Sequence, residues 1–261
     1  MRIKLTELVI FSLDASLGGS YNELNLINII NQIKDMKNSN LKLLSYLASN
    51  AKEGKGIPSI AQLSNDLGLS VSAIREQLEV ARQLELVEVR TKTGIQTASF
   101  SAAPAICLAY HYGLELRPDM IGDIISVRQH LELSYWKEAV VHLTVKDVIY
   151  LSEIVEKAVS KINRLPVIIP LEEHKEFHLA IYRPLNNSFL DSILEAYWNI
   201  QMESGIHLYS DKTYLENVWA YHQKILDAIE TKEYDLGYQA LMTHFEIVRT
   251  QRKAELKQRF E

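Results

Sequence analysis

Two short runs of helical periodicity, separated by a single glycine, constrain this chain more than any other feature. Ser59 and Gln62 form the pattern of a capping box, opening a short helix through Leu63 and Leu67. Gly68 supplies the tight turn, because a left-handed residue without a Cβ meets no steric penalty. Ser70 caps the second run, in which Ile74, Leu78 and Ala81 fall on one helical face. Leu43, Leu44 and Leu47 mark a preceding helix that Gly54 and Gly56 end. Beyond the pair, Leu86 to Arg90 alternates like a strand, Thr91 to Gly94 is turn chemistry, and Ile95 to Phe100 returns as a second strand. Three helices followed by a short β-hairpin make residues 41–100 a winged helix-turn-helix.

That arrangement suits double-stranded DNA, because its third helix fits the major groove, where base edges are distinguishable. Ser70, Ser72 and Arg75 stand on the polar face near the N-terminal end of that helix. Hydroxyls and backbone N–H groups there suit phosphate oxygens, and Arg75 can fork onto a guanine edge. Lys92 and Gly94 at the wing tip let the backbone approach the duplex closely. Two plainer readings stay open: the arginines are solvated surface, or the winged helix binds protein.

Charge alone does not argue for nucleic acid. The chain carries a net −5, and residues 41–100 hold seven basic and six acidic side chains. The single cysteine, Cys107, excludes an internal disulfide and a cysteine zinc ribbon, and reads as a packed side chain. No apolar run is long enough to span a membrane, and the apolar stretch from Leu8 to Leu13 is bracketed by Glu7 and Asp14, unlike a signal peptide. A cytoplasmic protein without a membrane partner is expected. In residues 1–40, an extension of unclear role, Leu24, Ile27, Ile30 and Ile33 suggest one helix around Tyr21–Lys37.

From Ala102 onward the pattern is almost wholly helical, with periodic segments near 118–142, 145–162, 170–183, 188–204, 213–231 and 235–256. Thr144 with Asp147, Asn187 and Asp235 mark helix starts, and Leu165 to Pro170 reads as a proline-bounded connector. No phosphate loop, dinucleotide fingerprint or nucleophile elbow appears. The expected fold is mainly α: the winged helix-turn-helix, then an all-α helical bundle over residues 101–261 that binds a ligand.

Four histidines in this second half carry the chemistry. His174 and His178 are four apart and share a helix face. His222 is followed by Ile225 and Ile229, and His244 is flanked by Leu241 and Val248, so both stand in or beside apolar stripes. Imidazoles converging from three helices can hold a divalent transition metal ion, with zinc or nickel favoured over oxygen-seeking magnesium and calcium. The alternative is core histidines satisfied by hydrogen bonds.

The stretch Ile57-Pro58-Ser59, Leu63, Leu67-Gly68-Leu69-Ser70, Ile74-Arg75-Glu76, Leu78, Leu84, Leu86-Val87 and Thr93-Gly94 resembles the DNA-binding domain of GntR-family regulators. The second half resembles the FCD sensor domain of the family's FadR-type branch. Arg128 with Glu132, Phe177-His178, Asn186-Asn187, His222 leading to Ile225–Ile229, and Ala240 before His244 carry that likeness. The resemblance implies a homodimer, an operator with two half-sites, and a small-molecule effector, expected to be a carboxylate. It implies no enzymatic activity. Metal-binding members of the branch use three histidines plus an aspartate at the position held here by His174, so an all-imidazole site is expected unless His174 does not coordinate. Arg128 matches an arginine such domains aim into the ligand cavity, where it could clamp a carboxylate; an ordinary ion pair with Glu132 competes with that role. Val71 and Ala61 stand where many relatives carry operator-touching arginines, so weaker DNA affinity and a shallower salt dependence are expected.

Two rival functions remain at this point. A histidine-bound ion could activate water in a hydrolase-like enzyme, with Glu173, Glu176 or Tyr221 as nearby bases. The chain could instead be a protein-interaction module without metal.

Overall fold

A computed structural model describes residues 42–90, 94–203 and 211–260. The chain divides into two compact units. The first includes the helical stretch to Gln83 and the hairpin over Val87–Ala98, and the second takes in Ser99 onward.

In the first unit, α1 (Lys42–Glu53), α2 (Ile60–Leu67) and α3 (Val71–Gln83) precede strands β1 (Val87–Arg90) and β2 (Gly94–Thr97). Leu43 and Leu47 of α1, Leu63 of α2, Ile74, Leu78 and Ala81 of α3, and Val87 of β1 are buried. Their helical spacing puts each set on one face; each fully buried leucine or isoleucine contributes about 1.5–3 kcal/mol. The Ser59 hydroxyl accepts from the Gln62 N–H at 3.3 Å to start α2. Gly68 ends it at φ 62°, a left-handed geometry that turns the chain into α3. The strands pair antiparallel, with Val87 opposite Thr97 and Arg90 opposite Gly94. The second strand stops at Thr97, short of the expected Phe100.

The second unit is helical throughout its described residues: α4 (Ala103–Leu116), α5 (Ile121–His142), α6 (Val145–Ile162), α7 (Leu171–Tyr182), α8 (Ser188–Glu203), α9 (Lys212–Glu230) and α10 (Tyr234–Phe260). The Thr144–Asp147 capping box forms with both reciprocal bonds. The Asn187 side chain accepts from the Leu190 N–H at 3.1 Å. Helix α10 begins one residue before the expected Asp235, and Asp211, not singled out from sequence, caps α9 by accepting from the Tyr214 N–H at 2.7 Å. Helix α4 also lies outside the segments that periodicity marked; most of its residues are apolar, which blurs a helical stripe.

The bundle packs α9 against α10 and α6, α7 against α5, α6 and α8, and α4 against α8. Its core includes Trp136, Leu151, Phe177, Ile181, Leu194, Trp219, Ile225 and Leu241. Gly237 lets α10 lie directly on Trp136: a Cβ at that position would stand 2.6 Å from the indole. No helix among the described residues is long and apolar enough to cross a membrane.

Candidate metal centre

Three helices bring the four expected histidines together. His174 and His178 come from one face of α7, His222 from α9 and His244 from α10. His178, His222 and His244 are fully buried, His174 partly so. Their ligand nitrogens all lie within 4.8 Å of one another. His178 Nε2 is 3.2 Å from His244 Nε2 and 3.3 Å from His222 Nε2, and His174 Nε2 is 3.5 Å from His244 Nε2.

Hydrogen bonds behind the rings decide which way their lone pairs point. His222 Nδ1 lies 2.9 Å from the Val218 carbonyl, which can only accept, so Nδ1 carries the hydrogen. His178 Nδ1 lies 2.7 Å from the Glu132 carboxylate and donates to it. Both Nε2 atoms therefore turn bare lone pairs toward each other, and two acceptors cannot bond without something positive between them. A metal ion fits that need. Tetrahedral metal–nitrogen bonds of about 2.0–2.1 Å place neighbouring donors roughly 3.4 Å apart, close to the observed spacings. The Glu132–His178 contact is the carboxylate–imidazole pairing that orients a metal ligand and raises its basicity.

Burial pushes all four imidazoles well below the ordinary histidine range, with the Arg128 charge adding to the effect, so all are neutral near pH 7. Burial also pushes the Glu132 carboxyl up, opposed by Arg128. The neutral imidazole is the metal-binding form.

Arg128, 2% exposed on α5, makes the expected ion pair: its Nε donates to Glu132 Oε1. Its guanidinium carbon stands 4.8–4.9 Å from the ring centres of Tyr197, Trp198 and Phe245. Yet Nη2 is buried without a hydrogen-bond partner, as is Nε1 of the adjacent Trp198. The ion pair and a spare donor thus coexist in one side chain.

The carboxylates that a hydrolytic reading would need are engaged elsewhere. Glu173 pairs with Lys161 at 2.7 Å, and Glu176 accepts from Arg183 and from the Tyr150 hydroxyl at 2.7 Å. The ring of Tyr221 lies under the Lys224 ammonium at 4.2 Å. Sequence reasoning paired Glu132 only with Arg128 and missed its bond to His178, which joins α5 to α7 across 46 residues. It also missed Trp219, stacked on His222 at 4.4 Å, and Trp198 beside His174 at 4.8 Å. Acid and ring types inside apolar stripes were the available signal.

The expected DNA-contact residues belong to the first unit. Ser70, Ser72, Arg75 and Gly94 are exposed, and Lys92 lies outside the described residues. Ser70 spends its hydroxyl on the cap of α3, accepting from the Ala73 N–H at 3.1 Å, and Ser72 donates to Glu76 at 3.2 Å. Cys107 is half-buried, its thiol 3.8 Å from the Ala196 carbonyl.

Residues 123–247 match the FCD domain family. Over 203 residues the chain is 26% identical to the Uxu operon regulator of Haemophilus influenzae, covering 75% of this chain and 73% of that protein. It is 22% identical over 200 residues to the HTH-type transcriptional regulator LutR of Bacillus subtilis, covering 74% and 89%. In fold it is similar to a solved GntR protein of Streptococcus agalactiae, with a TM-score of 0.59 at 20% identity, covering 82% of this chain and all of that one.

Proposed function

The chain is a GntR-family transcription regulator with an FCD domain and is not an enzyme, and from that premise we propose that it senses a small organic acid at a histidine-bound metal ion. Residues 41–100 read a double-stranded operator and residues 101–261 hold the sensor. The observation that carries the sensor reading is the convergence of the four histidines, their Nε2 atoms 3.2–3.5 Å apart in three pairs, with bare lone pairs facing each other on His178 and His222.

His174, His178, His222 and His244 would hold zinc or nickel, the ions that imidazole suits. When bound, the ion would supply a positive centre able to accept a carboxylate oxygen. Glu132 fixes the His178 ring, the Val218 carbonyl fixes His222, and the surrounding aromatic rings exclude water. Arg128 offers its free Nη2–H to the second carboxylate oxygen.

On the DNA side, α3 would enter the major groove with Ser70 and Ser72 near phosphates and Arg75 toward base edges. Lys92 and Gly94 of the wing would approach the backbone. A homodimer would place two such helices on two half-sites, in a cytoplasmic setting. Acid binding changes DNA affinity only by its differential affinity for the two arrangements of the paired readers.

A gel-shift titration of metal-loaded protein with small carboxylic acids, repeated after chelation, tests the proposal. Operator binding should respond to at least one acid and lose that response without metal. Protein that carries no metal after purification and reloading would sink the sensor reading, and failure to bind any duplex at low ionic strength would sink the reader.

A further inference from the structure

The side chains that make up the centre bring no surplus negative charge to it. Its four donors are imidazole rings, which bind a metal in their uncharged form. Among the described residues, Glu132 is the one carboxylate bonded to them, and the Arg128 guanidinium answers it. Of the acids on α7, Glu173 is engaged by Lys161, Glu176 is engaged by Arg183, and Glu172 is exposed. A divalent ion on those nitrogens would keep its whole charge among Phe177, Trp198, Trp219 and Phe245, whose rings border the histidines. Uncompensated charge in such surroundings is costly, so something must arrive with the ion to balance it.

Two orphaned donors say more about what arrives. Arg128 Nη2 and Trp198 Nε1 are both buried and both lack an acceptor. The two side chains are in face contact, the guanidinium carbon 4.8 Å from the indole centre, and that indole is 4.8 Å from His174 and 5.4 Å from His178. Oxygens of an incoming anion would meet both the charge and the two N–H groups.

Resting on the metal-sensing reading above, we infer that the effector is a dianionic acid, of the small dicarboxylate class. It brings the two negative charges that the all-imidazole donor set lacks. A monocarboxylate leaves half the ion's charge unbalanced. Ion and acid therefore strengthen each other's binding, and by the same factor in both directions.

The experiment uses full-length protein loaded with zinc, its zinc content measured before and after calorimetric titration with malonate, succinate, propionate and butyrate at matched ionic strength. The tighter dicarboxylate should bind at least about tenfold more strongly than the tighter monocarboxylate, a modest return for one added charge beside the ion. His174→Asp adds one negative charge to the donor set, and its preference should shrink to within about threefold. His174→Asn loses the ring without adding charge and should keep the preference. Equal binding of both acid classes to zinc-loaded wild-type protein overturns the inference and leaves the metal site standing. So does the same preference in His174→Asp and His174→Asn. Absence of zinc in the loaded protein instead removes the metal reading and this inference together.

Discussion

The two halves of the molecule place their functional side chains in opposite settings. In the winged helix, Ser70, Ser72 and Arg75 are exposed, and what the structure gives them is local: a helix cap for one and an intrahelical bond for another. In the bundle, Glu132, His178, His222 and His244 are buried, and their polar atoms meet those of residues dozens of positions away. A reading surface owes its meaning to a partner that lies outside the chain. A buried polar core carries much of its meaning in its own contacts, because buried polar groups must be satisfied or leave a visible gap.

Acid should separate the halves most strongly. The first unit contains no histidine among its described residues, whereas the second gathers four in its interior, three of them fully buried. Their folded values lie below the ordinary unfolded value of about 6.5, so the unfolded chain takes up protons first as pH falls. Their contribution is intact above that value and is lost below it, by up to about 1.4 kcal/mol per pH unit for each ring. Thermal melts of metal-free protein between pH 7.5 and 5 should show the bundle transition falling and the winged-helix transition nearly still. A parallel decline of both would break the contrast.

His222→Ala should come next, lowering zinc affinity by at least about a hundredfold, since removing a ligand exceeds the loss of a supporting bond. Competition with a chromogenic chelator reads this, and unchanged affinity would mean that the ring is core filler. Glu132→Gln keeps the shape but weakens the hold on His178, so a fall of about 10–100-fold is expected in the same assay. An effect equal to that of His222→Ala would instead mean that Glu132 reaches the ion. Ser70→Ala should produce the smallest change, about 1 kcal/mol of winged-helix stability from the lost cap, with the zinc affinity of the bundle untouched. A changed zinc affinity in that variant would show the halves to be coupled.

Much of this was legible before any coordinates, for reasons that differ between the halves. Glycine turns, capping serines and short periodic runs are local signals, so the winged helix could be read in order from Leu43 to Ile95. The histidines were legible because a polar ring within an apolar stripe must point inward. What escaped was pairing across distance. Nothing in spacing connects Glu132 with His178, or Trp198 with Arg128, because helix-to-helix register is set by packing and not by periodicity. Helix α4 escaped for the opposite reason, its residues being too uniformly apolar to show a stripe.

The close seat of α10 on Trp136 reaches further than packing. Gly237 and His244 are seven residues apart on that helix, two turns or about 10 Å along its axis and on nearly the same side. Any side chain at position 237 meets a buried indole at 2.6 Å, and the shift this forces falls on the rod that carries a donor nitrogen two turns away or on the ring beneath it. The absence of a methyl group there thus belongs to the same close seat that holds His244 among its three companions.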